Sequence, residues 1–358
     1  MAFDGLSVME ETEPMGIHEH NKQFFEKYRA ALYDCQDADL EKQLKQIMTP
    51  QCQIHLAYPF EDLDGPEALF HKAYRPLLKA IPDLERRDYI VMAGNDTTGN
   101  WIGCAGYYIG VFERPWLDIP PTLHPVTMRY CEFFRVEDNQ IVEMQAMWDI
   151  IQVMIQSKAW PLSPSLGVEW FVPGPATQDG IIRGPYDEEK SQASLKLVQD
   201  MLAGLAKYAQ EGVAAMGLEK YWHPKMTWYG PAGIGSNRRI TGFRLWHQQP
   251  FLNAMPDREI SGAARTFFAD GDYVGFTAWP GMRAKISASG WLGIAPANQE
   301  ITMRSLDFWR CENGMIRENW VLVDVLDVYH QIGVDVFARM REFTAARQEN
   351  KPNLVWSP

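Results

Sequence analysis

The chain has 358 residues, 46% of them hydrophobic and 22% charged, a balance that fits a globular protein and excludes a disordered or fibrous one. Its formal net charge of -12, with no cluster of Lys or Arg, excludes a partner held through nucleic-acid phosphates. No apolar run approaches the ~18 residues that cross a bilayer, so no membrane association is expected.

Residues 1–20 read as a polar tail, without the basic start and apolar stretch of a secretory signal. Residues 21–44 read as helical, because Phe24, Phe25, Tyr28, Leu32 and Tyr33 recur at spacings near 3 to 4. A short strand follows at 53–55. Gly65 opens a helix that runs to about Ala80 and is closed by Pro82 and Asp83. Strand-like runs then cover 89–93, 101–111, 127–136 and 141–150, the last two joined by turn residues Glu137, Asp138 and Asn139. The stretch 111–125, with Trp116 and four prolines, is an insertion placed to lid a cavity or to form a rigid surface turn. Residues 173–185, rich in Pro and Gly, form the natural linker. Helix resumes at about 188–208, and a final helix is expected over 334–346.

The second half repeats the first. Residues 126–156 align without a gap to 301–331 at a constant offset of 175, with eleven of the 31 positions identical. Upstream, Thr49 to His55 pairs with His223 to Tyr229, and the stretch 80–83 pairs with 254–257. Helices followed by antiparallel hairpins, twice over, predict two α+β units with helices on one face of a curved sheet. The expected division is a tail at 1–20, units at 21–172 and 191–346 around a linker at 173–190, and a tail at 347–358. The five cysteines, Cys35, Cys52, Cys104, Cys131 and Cys311, lack CxxC spacing and suit reduced thiols in a cytoplasmic protein.

These marks resemble a known family. In the first copy they are His55, Gly65, Pro82-Asp83, the run from Phe134 to Glu143, and Trp148-Asp149. In the second they are Tyr229-Gly230-Pro231, Gly242, Pro256-Asp257, Arg310 to Ile316, Glu318, Trp320, Asp324 and Gln331-Ile332-Gly333. Each half resembles a SnoaL-like polyketide cyclase domain of the nuclear transport factor 2-like superfamily. The resemblance implies two tandem cone-shaped α+β barrels, each with an apolar cavity, paired through their sheets as an internal pseudo-dimer, with further homo-oligomerisation open. It also implies an Asp acid/base that works without metal or cofactor, at Asp149 and Asp324.

The residues themselves offer a reason. With a period of two, Ile316, Glu318, Trp320, Leu322 and Asp324 share one strand face. A carboxylate there, beside Trp and Leu, loses hydration, and its raised pKa suits proton abstraction from carbon near neutral pH. The competing reading is a helix N-cap. On the equivalent face of the first copy lie Ile141, Glu143, Gln145, Met147 and Asp149, with Trp148 on the opposite face unless a bulge intervenes. Candidate catalytic residues are Asp324, Asp149, His330 and His55. Candidate ligand contacts are Tyr229, Trp320, Trp228, Tyr329, Trp148, Trp279 and Tyr107. His71 and His247 sit on the two copies' equivalent helices, where a shared packing role is expected. His18-Glu19-His20 lies in the tail without partner ligands, and no HExxH, zinc-pair or EF-hand spacing occurs, so no metal is expected.

The expected function is cofactor-free acid/base catalysis on a small apolar carbonyl compound: aldol-type cyclisation, isomerisation or dehydration. The second copy is favoured as the working one. A non-catalytic binding module, or a hydrolase with an Asp-activated water, stand as alternatives.

Overall fold

The structure is a computed structural model that describes residues 15–34, 37–206, 216–260 and 265–349. The expected tail beyond 349 and most of the N-terminal one lie outside these residues. Helix α1 (Ile17–Tyr33) starts earlier than the tail reading allowed and carries the His18-Glu19-His20 motif. The ring of His18 is buried against Tyr186, and His20 bonds Asn139.

The first repeat continues with α2 (Asp37–Ile47), β1 (Met48–Leu56) and β2 (Glu61–Asp64). Then comes one helical run: α3 (Gly65–Leu69), a π turn (Phe70–Tyr74) and α4 (Arg75–Ala80). Strands β3 (Glu85–Asp96), β4 (Gly99–Val111), β5 (Pro125–Glu137) and β6 (Gln140–Trp148) lead to α5 (Ile150–Gln156). The sheet order is β2-β1-β6-β5-β4-β3, with β1 and β6 parallel and the other pairs antiparallel.

Helix α6 (Glu188–Ala206) opens the second repeat, followed by β7 (Trp222–Tyr229), β8 (Asn237–Arg238), α7 (Arg239–Phe243), a second π turn (Arg244–Gln248) and α8 (Gln249–Ala254). Strands β9 (Glu259–Ile260), β10 (Arg265–Asp270), β11 (Tyr273–Ile286), β12 (Gln299–Glu312) and β13 (Met315–Val323) follow, then α9 (Val325–Gln331) and α10 (Val336–Glu349). This sheet runs β10-β11-β12-β13-β7-β8, with β9 on β11. Both sheets are open, with β2 and β3 at the edges of one and β8 and β10 at the ends of the other. The two α+β cones are those expected, each built on an open sheet among the described residues.

The two sheets pack face to face. Phe133 and Phe308 occupy the same place in the two repeats and stack on each other at 4.7 Å. The sheets come close because glycines face the seam: a methyl group on Gly94 would meet Ala269 O at 2.8 Å, and one on Gly275 would meet Phe133 at 2.9 Å. Ile90, Met92, Trp101, Tyr107, Leu306 and Leu322 fill the rest of this layer. The linker is tied down across it. Tyr107 Oη donates to Val172 O, Trp320 Nε1 to Pro173 O, and Ala176 N to Glu318. Cys52, Cys104, Cys131 and Cys311 are buried free thiols, and Cys35 lies outside the described residues. Among the described residues, no helix is long and apolar enough to cross a membrane.

Candidate functional site

Strand phase decides which side chains reach each cone. On β13 a bulge at Arg317 shifts the alternation: Arg310 pairs with Glu318, yet Cys311 pairs with Ile316. Ile316 therefore joins the cone's own core, while Trp320 and Leu322 face the other sheet. The first repeat has the same bulge at Val142. The expectation that Ile316, Glu318, Trp320, Leu322 and Asp324 share a cavity wall is corrected on this point.

The expected residues accordingly distribute over three places. Most lie in or beside the seam. Tyr229 stacks on Trp320 at 5.2 Å and donates its hydroxyl to Glu318. Tyr107 lies under Phe171, and Trp279 lies beneath the Arg304 guanidinium. His55 is half-buried with its Nδ1 2.7 Å from Asp62, and His330 is exposed with its ring on Tyr58. Tyr329, itself buried, donates to Leu292 O. Only Trp148 and Trp228 point into cones, the first repeat's and the second's respectively.

Asp149 and Asp324 are buried N-caps of α5 and α9. Each reaches across the seam to the segment that follows the other repeat's first strand. Asp149 Oδ2 accepts from Ala232 N at 3.0 Å and lies 3.4 Å from Arg129 Nη2. Asp324 Oδ2 accepts from Tyr58 N at 2.9 Å and lies 3.4 Å from Arg304 Nη1. Asp324 Oδ1 also accepts from Asp327 N at 3.1 Å, the cap bond of its helix. Burial raises both carboxyls, Asp324 to about 7. The hollow beside them is about 20 Å³, room for roughly one water.

The cone interiors differ. In the first, Glu132 is the hub of a buried network. It accepts from Arg86 at 2.6 Å, from Trp148 Nε1 at 3.0 Å and from Tyr108 at 3.1 Å. Tyr74 bridges Tyr108 and Tyr28 at 3.1 and 2.6 Å, and Arg86 stacks over Tyr130. These side chains occupy the space and satisfy one another.

In the second cone the same places carry other residues. The offset of 175 turns Glu132 into Asp307, Tyr130 into Ser305 and Trp148 into Val323. Strand register turns Arg86 into Ile260 and Tyr108 into Met282. Asp307 is buried and keeps side-chain bonds to Asn319 Nδ2, at 3.4 Å, and to Ser305; burial pushes its carboxyl up to about 7. Asp307 sits on β12 opposite Phe276, and Phe276 lines a cavity of about 930 Å³. Phe243, Phe251, Phe267 and Met282 line it too, and the exposed Glu259, Ile260 and Arg265 mark its mouth. His247 and Gln248 are polar groups of its inner wall. The His247 ring stacks on Trp228 at 4.0 Å, and burial lowers its pKa to about 3, so it is neutral near pH 7.

The helices match at an offset of 174, which pairs Ala73 with His247 and Tyr74 with Gln248. His71 therefore corresponds to Leu245 and not to His247. It is exposed, 3.6 Å from Glu41. Glu41, Glu67 and His71 draw together at the surface, with Lys45 bridging both carboxylates. Asp307 escaped the sequence reading, although its signal was present: Glu132 and Asp307 are acids at one place in an ungapped repeat, each followed by Phe.

Comparison with known proteins agrees with this architecture. The family model for SnoaL-like polyketide cyclases matches residues 26–157 and 204–332, most of both repeats. The chain belongs to the SnoaL-like polyketide cyclase family. Among solved structures it is similar to IdmH from Streptomyces antibioticus, a candidate polyketide cyclase, at 18% identity over 38% of this chain and 96% of that one, with a TM-score of 0.32. A candidate SnoaL-like polyketide cyclase from Jannaschia sp. CCS1 matches at 21% identity over 40% and 94%, TM-score 0.34. AclR from Streptomyces galilaeus, a candidate hydroxylase, matches at 17% over 39% and 96%, TM-score 0.33. No curated protein matches.

Proposed function

We propose that the chain is a cofactor-free acid/base enzyme that works in the cone of its second repeat, residues 191–346, while the first, 21–172, is its scaffold. The substrate class is a small, largely apolar carbonyl compound. Asp307 is the base that removes a proton from the carbon beside the carbonyl. The observation that carries this reading is the contrast between the cones. One acid is saturated by Arg, Tyr and Trp; the other has lost those partners and lies behind an aromatic-walled cavity. A carboxyl titrating near 7 is matched to proton abstraction at neutral pH. His247, neutral there, is no competing base. Cyclisation, isomerisation and dehydration share this first step.

A binding-only role has one observation in its favour: Asp307 stands behind the residues that line the cavity, not among them. The two readings part in a solvent-exchange experiment. The chain is incubated in deuterated buffer with 6-hydroxy-2-acetonaphthone, and deuterium entry into the acetyl methyl group is followed by NMR. Protein-dependent exchange that disappears in Asp307→Asn is expected. Exchange that persists in Asp307→Asn but vanishes in Asp324→Asn would move the chemistry to Asp324, the acid that the resemblance names. Binding without exchange in the native chain leaves the module reading.

A further inference from the structure

The inner wall of the second cavity carries two polar groups that proton abstraction does not use. Both come from the π turn Arg244–Gln248. Such a turn widens the helix by one residue and re-aims the side chains on its inner face. In the first repeat the matching turn directs Tyr74 inward, where its hydroxyl meets Tyr28 and Tyr108. In the second, His247 and Gln248 take the places of Ala73 and Tyr74 and line the cavity. His247 Nδ1 and Gln248 Oε1 are buried with no hydrogen-bond partner, and Gln248 is only 4% exposed. Buried polar atoms are nearly always bonded, so two adjacent exceptions on a cavity wall point to a ligand group that completes them.

We infer that His247 and Gln248 form a hydroxyl-recognition subsite, so that the ligand carries a hydroxyl on its apolar body as well as the carbonyl. A hydroxyl satisfies both atoms at once. Its proton goes to the Gln248 amide oxygen, and its oxygen accepts from His247 Nδ1–H. A second carbonyl or an ether has no proton for Gln248. A carboxylate or ammonium would bring a bare charge among Phe243, Phe251 and Phe276. The turn thus selects the ligand while Asp307 acts on it. This rests on the second cavity being the working site.

The test compares two probes that differ by one group, 6-hydroxy-2-acetonaphthone and 2-acetonaphthone, titrated calorimetrically into the full chain. The hydroxylated probe is expected to bind roughly tenfold tighter, the effect of about one net hydrogen bond. In His247→Phe, which keeps a ring on Trp228, and in Gln248→Met, which keeps the chain length, that ratio falls toward one. A ratio near one in the native chain overturns the subsite and leaves the cavity reading standing. Failure of both probes to bind overturns the subsite and the cavity reading together. A ratio that survives both substitutions also overturns it, since a merely structural role for the pair predicts that result.

Discussion

The two cones share a backbone plan and differ in what their interior polar groups bond to. In the first, Glu132, Arg86, Tyr108, Tyr74, Tyr28 and Trp148 form a closed set in which each partner is supplied by the protein. In the second, Asp307 keeps only Asn319 and Ser305 and no cation, and His247 Nδ1 and Gln248 Oε1 keep no partner. A satisfied buried network stabilises a unique packing, whereas each unpaired buried group costs roughly 1–3 kcal/mol. On the proposed reading the duplication separates two tasks: one interior contributes stability, and the other gives some up to keep room and unpaired groups for a ligand.

The largest effect should come from breaking the closed set. Arg86→Met leaves Glu132 buried without its cation, which costs on the order of 3–5 kcal/mol. Urea denaturation should show it as a clear drop in the midpoint. Adding Glu132→Leu to the same chain should recover only part of the loss, because it removes the bare charge but takes the acceptor from Trp148 Nε1 and Tyr108. If Arg86→Met costs less than about 1 kcal/mol, the first interior is not the stabilising one.

How much of this was legible without coordinates follows from the same residues. The ungapped repeat shows the duplication, and period and turn residues show the hairpins. The phase of β6 and β13 was not readable, because the bulges at Val142 and Arg317 reverse which face carries the alternate residues. Nor can apolar alternation say whether a face meets a cavity or a second sheet, since both demand the same side chains. That is why Trp320, Tyr229 and Tyr107 suggested a pocket and lie in a seam. Asp149 and Asp324 are buried, and burial raises both carboxyls. The neighbours that bury them come from the other repeat, a long-range fact with no local signature.

The next effect depends on pH. The folded pKa of Asp307, about 7, stands above the ordinary carboxylate value it regains on unfolding. Between about pH 4 and 7 the native chain holds a proton that the unfolded chain has released, so this group's contribution to stability falls as pH rises through that window. His247 works in the opposite sense. Its lowered pKa means that the unfolded chain takes up a proton first, and stability is lost as pH falls below about 6.5. Comparing Asp307→Asn with the native chain isolates the carboxyl. The variant should match the native protein near pH 4 and exceed it at pH 8 by on the order of a few kcal/mol. Melting temperatures at the two pH values measure this. A difference that does not change with pH would show that Asp307 is not held protonated by its surroundings.

The smallest effect sharpens the comparison most, because it turns on sign. Tyr74 and Gln248 occupy the same place on the two π turns. Tyr74→Phe removes a hydroxyl with two partners, leaves Tyr28 without its bond, and should destabilise by roughly 1–2 kcal/mol. Gln248→Leu removes an amide oxygen that has no partner and places an aliphatic group beside Phe251 and Leu252; it should stabilise by roughly 1 kcal/mol. Size alone predicts the wrong pattern, since both substitutions trim a buried polar side chain to an apolar one of similar shape. Only the state of the hydrogen bonds separates them. Opposite shifts in melting temperature would tie the difference between the cones to satisfied and unsatisfied groups. Two shifts of the same sign would mean that Gln248 already has its partner within the folded chain, and that the second cone is closed in the same way as the first.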